Sequence, residues 1–194
     1  MPRPCVFLDR DGVLVREVDY CDHPDRLELL PGAARAVARL NAAGVLAIVL
    51  TNQAGIARGY YDEPTLDRIH ERMGELLGRE GTRLDAVYYA PQHPESADPR
   101  YRDDPEELRK PGLGMIRRAQ RGFPIDMGRA WMIGDKPTDI ELAANAAIPG
   151  ILVLTGYGRD ALAGLDRWKA RPAAIVADVA EAIDWVLAGS SLHY

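Results

Sequence analysis

Six short apolar runs constrain this chain more than any other feature. They lie at 4–8 (PCVFL), 45–50 (VLAIVL), 86–89 (AVYY), 130–133 (AWMI), 151–154 (ILVL) and 174–176 (AIV). Most lack the polar alternation of a strand with one wet face, the pattern of a parallel sheet covered by helices on both sides. The segments between them carry helical patterns. Leu66, Ile69, Met73, Leu76 and Leu77 share one helical face, and Asp62 is placed to cap its start. An alanine-rich helix over 32–43 follows Pro31 and stops at Gly44. Thr138-Asp139-Ile140-Glu141 reads as a capping box that opens another. This alternation predicts an α/β fold, a Rossmann-like doubly wound parallel sheet with right-handed crossovers. Ligands in such folds bind beyond the carboxyl ends of the strands, so chemistry is to be sought just after each run.

The length of 194 residues suits a single domain over 1–194. Lys+Arg 24 against Asp+Glu 29 gives a net charge of −5, the opposite of a nucleic-acid binder's basic footprint. Cys5 and Cys21 make neither a disulfide framework nor a zinc cluster. No run could span a bilayer, and 5–8 is too short for a signal-peptide core, so a cytoplasmic protein with no membrane partner is expected. Trp131, Trp168 and Trp185 each sit in an apolar pattern and are expected in packing. Only 91–109 breaks the pattern. Its four prolines, six acids and three arginines show no apolar periodicity, which marks a long loop of functional or mobile kind.

The first run leads into Asp9-Arg10-Asp11-Gly12. In extended chain, side chains two apart point the same way, so both carboxylates are expected to face one site before Gly12 turns the chain away. Two anions this close need a cation or a shared proton between them. Mg²⁺, bound through oxygen, meets that need and would draw in a phosphate. An EF-hand loop does not fit, because the glycine comes fourth and position twelve is Tyr20. A strand that simply ends in a polar turn fits the same residues.

The second run ends in Thr51-Asn52-Gln53, whose hydroxyl and amides can hold phosphate oxygens or merely cap a turn. Arg109-Lys110-Pro111 closes the long loop before a helix that starts near Gly112. Lysine suits a phosphoryl group as a point charge, and arginine can grip a second oxyanion in a fork. After the fourth run, Asp135 could complete a metal site, and Asp139 lies at a helix start, where an acid favours the dipole.

Taken in order, FLDRDGV, VLTNQAGIARG, RKP and MIGDKPTD resemble the four motifs of the haloacid dehalogenase-like phosphatases, from Val6 to about Gly156. More narrowly, DRDG, TNQ-x-GIARG, YY-x-P-x-HP and RKP-x-x-GM are similar to the heptose-bisphosphate phosphatases, relatives of the histidinol-phosphate phosphatases. The resemblance implies that Asp9 attacks phosphorus to form an aspartyl-phosphate, while Asp11 protonates the leaving sugar oxygen and then deprotonates the hydrolytic water. It implies Mg²⁺ on the Asp9 carboxylate, the Asp11 carbonyl and Asp135, with Thr51, Asn52 and Lys110 on the phosphoryl group. It places Glu17, Val18, Asp19, Tyr20, Gln53 and Arg109 near the substrate. The implied reaction removes the 7-phosphate of D-glycero-D-manno-heptose 1,7-bisphosphate, in a monomer with a minimal cap. No stretch after Asp11, or between Asn52 and Lys110, could hold a large one.

One departure stands out. These relatives commonly carry a zinc clip in the long loop, and the matching positions here are Ala90, Gln92, Glu106 and Leu108. One carboxylate does not make a zinc site, and His93 stands alone, so no zinc is expected. The loop is then to be held by packing, salt bridges or substrate, or else to be mobile. Gly156-Tyr157-Gly158 imitates a dinucleotide fingerprint but comes too late in the chain for that domain, and reads as a loop lining the sheet's end. Histidinol phosphate is the alternative substrate. A polynucleotide 3′-phosphatase would need a basic stripe that is missing. A non-catalytic phosphate binder would have no need of both acids together with Lys110 and Asp135.

Overall fold

Strands β1 (Arg3–Leu8), β2 (Leu46–Asn52), β3 (Ala86–Ala90), β4 (Ile125–Gly134), β5 (Gly150–Val153) and β6 (Ala174–Val176) occupy the six apolar runs. In the computed structural model, which describes residues 1–104 and 106–190, they form one parallel sheet in the order β3-β2-β1-β4-β5-β6. The order reverses between β1 and β4, and that reversal opens a crevice at the carboxyl ends of both strands. Asp9 comes directly after β1 there, and Asp135 directly after β4.

Helices cover both faces: α1 (Ala33–Ala42), α2 (Ala54–Ala57), α3 (Glu63–Arg79), α4 (Pro99–Arg102), α5 (Gly114–Gly122), α6 (Pro137–Asn145), α7 (Gly158–Ala161) and α8 (Val179–Ser190). Alternate residues of β1 feed the two layers. Cys5 and Phe7 join a core layer with Met115 and Ala119 of α5 and Leu142 of α6. Val6 and Leu8 join the other, with Leu40 of α1, Met73 of α3 and Ile183 of α8. Full burial of each large side chain stabilises the fold by about 1.5–3 kcal/mol, which anchors the strand that carries Asp9.

Local signals behave largely as the sequence implies. Asp62 caps α3 by accepting from the Thr65 N–H at 2.9 Å, and the stripe Leu66, Ile69, Met73 and Leu77 is buried. Two expectations need correction. The capping box of α6 sits at its preceding turn: the Lys136 N–H donates to Asp139 Oδ2 at 3.0 Å, and the Asp139 N–H donates to the Lys136 carbonyl at 3.1 Å. Pro137, preset for a first helical position, starts the helix early, so Asp139 rather than Glu141 takes the third position. Trp185 is exposed because the buried stripe of α8 runs through Val179, Ala182, Ile183 and Val186 instead. Among the described residues the long loop holds one short helix, α4, begun by Asp98, which accepts from the Arg100 N–H at 2.9 Å. Among the described residues no helix is long and apolar enough to cross a membrane.

Candidate active site

Strand β1 ends at Leu8, and the chain then bends into a turn at Gly12. The period of two therefore stops before it can align Asp9 with Asp11. Asp9 points into an acid cluster with Asp135 and Asp139, all three buried, with one oxygen of each within 4.8 Å of the others. The Asp11 carboxylate lies outside that cluster. Arg10 forks it through Nε at 3.1 Å and Nη2 at 2.9 Å, and Gln53 Nε2 donates to it at 2.9 Å. The expected convergence of the two carboxylates is thus replaced by a convergence of Asp9 with Asp135 and Asp139.

Lys110 is the counter-ion of this cluster. Its Nζ lies 2.9 Å from Asp9, 2.7 Å from Asp139 and 2.9 Å from the Leu50 carbonyl, with the side chain enclosed. Burial opposes its charge, but Asp139 and Asp9 outweigh burial and hold the ammonium protonated. Asp139, expected only as a dipole partner, is therefore the residue that anchors Lys110. Asn52 clamps the backbone of Lys110 from β2, accepting its N–H at 2.9 Å and donating to its carbonyl at 3.3 Å. The Asn52 side chain thus positions Lys110 and keeps a further N–H free of that clamp. Thr51 is buried beneath, and its hydroxyl accepts from Gln53 Nε2 at 2.8 Å.

Asp135 lacks such a partner on one side. Its Oδ2 accepts from the Tyr157 N–H at 2.8 Å, while its fully buried Oδ1 has no hydrogen-bond partner. Burial, and then the neighbouring Asp9, pushes its carboxyl well above the usual range, and burial raises Asp9 as well. Gly12 and Gly156, at φ +79° and +54°, pass so close that an added Cβ on either would collide with Asp135 Oδ2. An orphaned buried carboxylate oxygen beside a second carboxylate is the donor set of a hard divalent cation, so these residues fit Mg²⁺.

Arg10, Asp11 and Lys136, the chain neighbours of Asp9 and Asp135, border an open cleft of about 480 Å³. Asp11, Glu17, Asp19, Tyr20, Cys21, Asn52, Gln53 and Arg109 line it, so most of the expected substrate residues meet there. Val18 does not: it packs against the core. Sequence reading missed Lys136 and Tyr157. Lys136 pairs with Glu17 at 3.1 Å and stands 4.7 Å over the Tyr157 ring, and the Tyr157 hydroxyl donates to Asp19 at 3.0 Å. These contacts tie the 17–20 segment to the ends of β4 and β5. Lys136 sits inside the GDKPTD motif, but only the fold shows that its side chain turns back toward residue 17.

Arg109 and Lys110 diverge, as their adjacency implies. Arg109 stays half-buried on the cleft wall, where Nη1 donates to the Gln92 carbonyl at 3.2 Å. Among the described residues no carboxylate comes within ion-pair distance of it. Burial and the nearby Arg58 both weigh against its charge. Asp104 positions its backbone, accepting from the N–H groups of Leu108 and Arg109, each at 2.8 Å. Further along the loop, Ser96 Oγ donates to the Ala57 carbonyl at 2.9 Å, and Glu106 pairs with Arg118 at 3.1 Å. The loop is therefore held by local hydrogen bonds and ion pairs.

A family model described as HAD-hydrolase-like matches residues 107–182. The chain is 44% identical to the D-glycero-D-manno-heptose-1,7-bisphosphate 7-phosphatase of Thermosynechococcus vestitus, over 96% of each chain. It is 43% identical to the D-glycero-beta-D-manno-heptose-1,7-bisphosphate 7-phosphatase of Rhodopseudomonas palustris, over 76% of this chain and 82% of that one. Its fold is similar to the crystal structure of D,D-heptose 1,7-bisphosphate phosphatase from B. bronchiseptica complexed with magnesium and phosphate. That match has a TM-score of 0.82 and 33% identity, over 96% of this chain and 99% of the other. The chain belongs to the heptose-1,7-bisphosphate 7-phosphatase family of haloacid dehalogenase-like hydrolases, and it is a phosphatase.

Proposed function

We propose that the protein hydrolyses the 7-phosphate of D-glycero-D-manno-heptose 1,7-bisphosphate. The single observation that carries this reading is the placement of two cations. Lys110 pairs with the nucleophile Asp9 at 2.9 Å, and its chain neighbour Arg109 lines the cleft without an anion of its own among the described residues. One cation serves the phosphoryl group being transferred; the other is left for a second phosphate. Asp9 attacks phosphorus, the bond to the sugar oxygen breaks, and Asp11 delivers a proton to that oxygen. Asp11 then takes a proton from the water that hydrolyses the aspartyl-phosphate, releasing phosphate and restoring Asp9. Burial alone would raise the Asp11 carboxyl, but the Arg10 guanidinium holds it below the usual range. An arriving phosphate dianion pushes it back toward the proton-carrying form.

Mg²⁺ held by Asp9, Asp135 and the Asp11 carbonyl would supply positive charge for the phosphoryl oxygens. Lys110 pairs with the reacting carboxylate at 2.9 Å, and Glu17, Asp19 and Tyr20 line the cleft in which the sugar would lie. We also read the enzyme as one domain and a cytoplasmic monomer that acts without zinc, nucleic acid or a membrane. The lack of thiol and imidazole at Ala90, Gln92, Glu106 and Leu108 supports the absence of zinc. Turnover of heptose bisphosphate, histidinol phosphate and a 3′-phosphorylated oligonucleotide, measured side by side, tests the substrate. The bisphosphate is expected to lead by at least about tenfold in kcat/KM, and a lead for either of the others would overturn this reading.

A further inference from the structure

Arg10 and His70 take no part in the proposed reaction, yet they are built into one buried network with Asp11. Arg10 is 1% exposed, and its guanidinium is held by polar partners. Its fork holds Asp11, its Nη2 also donates to Gln53 Oε1 at 3.1 Å, and its Nη1 lies 3.2 Å from His70 Nε2. An arginine only donates, so His70 must accept through Nε2 and stay neutral. Gln53 closes the ring by donating to Asp11 and Thr51 while accepting from the Tyr61 hydroxyl at 2.6 Å. Asp11 itself stands on a turn, beside a glycine at φ +79°. Its carboxylate is fixed by Arg10 and Gln53, and the fork is fixed in turn by His70 on α3.

We propose that Arg10, Gln53 and His70 are positioning residues that set the Asp11 carboxyl for proton delivery to the leaving oxygen. The inference rests on the reading of Asp11 as the general acid. Proton transfer needs donor and acceptor oxygens within about 2.6–3.2 Å, and a displacement of about 1 Å costs on the order of a hundredfold. Removing His70's acceptor frees one end of the guanidinium, and the slack passes to Asp11. The loss must then fall on substrates that need the proton. A sugar alkoxide is a poor leaving group and needs it; p-nitrophenolate leaves unaided.

The test is kcat/KM on the sugar bisphosphate and on p-nitrophenyl phosphate for His70→Leu, His70→Gln and Asp11→Asn. His70→Leu is expected to lose about tenfold or more on the sugar substrate and less than about threefold on the aryl phosphate. His70→Gln keeps a neutral acceptor at the reach of Nε2 and is expected to stay within about threefold of wild type on both. Equal loss on both substrates, or none on either, would overturn the positioning role. Asp11→Asn reads the underlying assumption separately. If it shows no dependence on the leaving group, the acid assignment fails; if it does and His70→Leu does not, only the present inference fails.

Discussion

Arg109→Ala separates a bisphosphate site from a monophosphate site. In the free protein this side chain makes one hydrogen bond, to the Gln92 carbonyl at 3.2 Å, and no ion pair among the described residues. Truncation therefore costs the fold only about 0.5–1.5 kcal/mol, and the Asp104 clasp on the backbone of 108 and 109 survives it. In the complex, a half-buried guanidinium on a phosphate makes charge-assisted hydrogen bonds of about 1.5–3 kcal/mol. Arg58 adds to the local positive field, which supports a value inside that range. A loss of about 2 kcal/mol corresponds to roughly thirtyfold in kcat/KM. Remote binding energy can be spent on positioning, so the loss is expected in both kcat and KM. The assay compares heptose 1,7-bisphosphate with heptose 7-phosphate. We expect roughly thirtyfold loss on the first and less than about threefold on the second. Equal losses would refute the assignment and bring the monophosphate reading, histidinol phosphate included, to the front.

The same geometry bears on three other perturbations. Lys110→Met strands Asp9 and Asp139 as a buried anionic pair, so thermal unfolding should show a loss of about 3–5 kcal/mol, with turnover lost on every phosphomonoester. Burial, and then Arg10, depresses His70 to about 3, so the unfolded chain binds the extra proton between that value and the ordinary 6.5. Stability contributed by neutral His70 is then complete above 6.5 and is lost as pH falls toward 3, at about 1.4 kcal/mol per pH unit. His70→Gln, which keeps an acceptor at the reach of Nε2, should flatten that part of the acid limb in Tm measured from pH 7 to pH 4.5. EDTA should abolish activity and Mg²⁺ restore it, while elemental analysis should find no stoichiometric zinc. One tightly held zinc per chain would show the long loop to be organised differently.

The fold was legible because its signal is local and redundant. Six strands announce themselves as apolar runs, and Asp62 announces the start of α3 by its chemistry. Asp9 and Asp135 were placed at the sheet's end for a related reason: each directly succeeds a strand whose position is dictated by topology. What escaped depends on side-chain direction after regular structure ends. The period-two argument for Asp11 fails because β1 stops at Leu8, one residue before the pair begins. The partnership of Lys136 with Glu17 spans 119 residues, and that of Arg10 with His70 spans 60. No spacing rule reaches either. The clamp of Asn52 on the Lys110 backbone, 58 residues away, is equally beyond the reach of spacing.

The central claim is that the phosphoryl group is transferred to Asp9. Rapid-quench trapping with ³²P-labelled substrate, then peptide mapping, tests it directly. A burst of acid-stable label on the peptide carrying Asp9 is expected from wild type, with none from Asp9→Asn, which should also lack turnover. Label on another residue, or full activity in Asp9→Asn, would contradict the account.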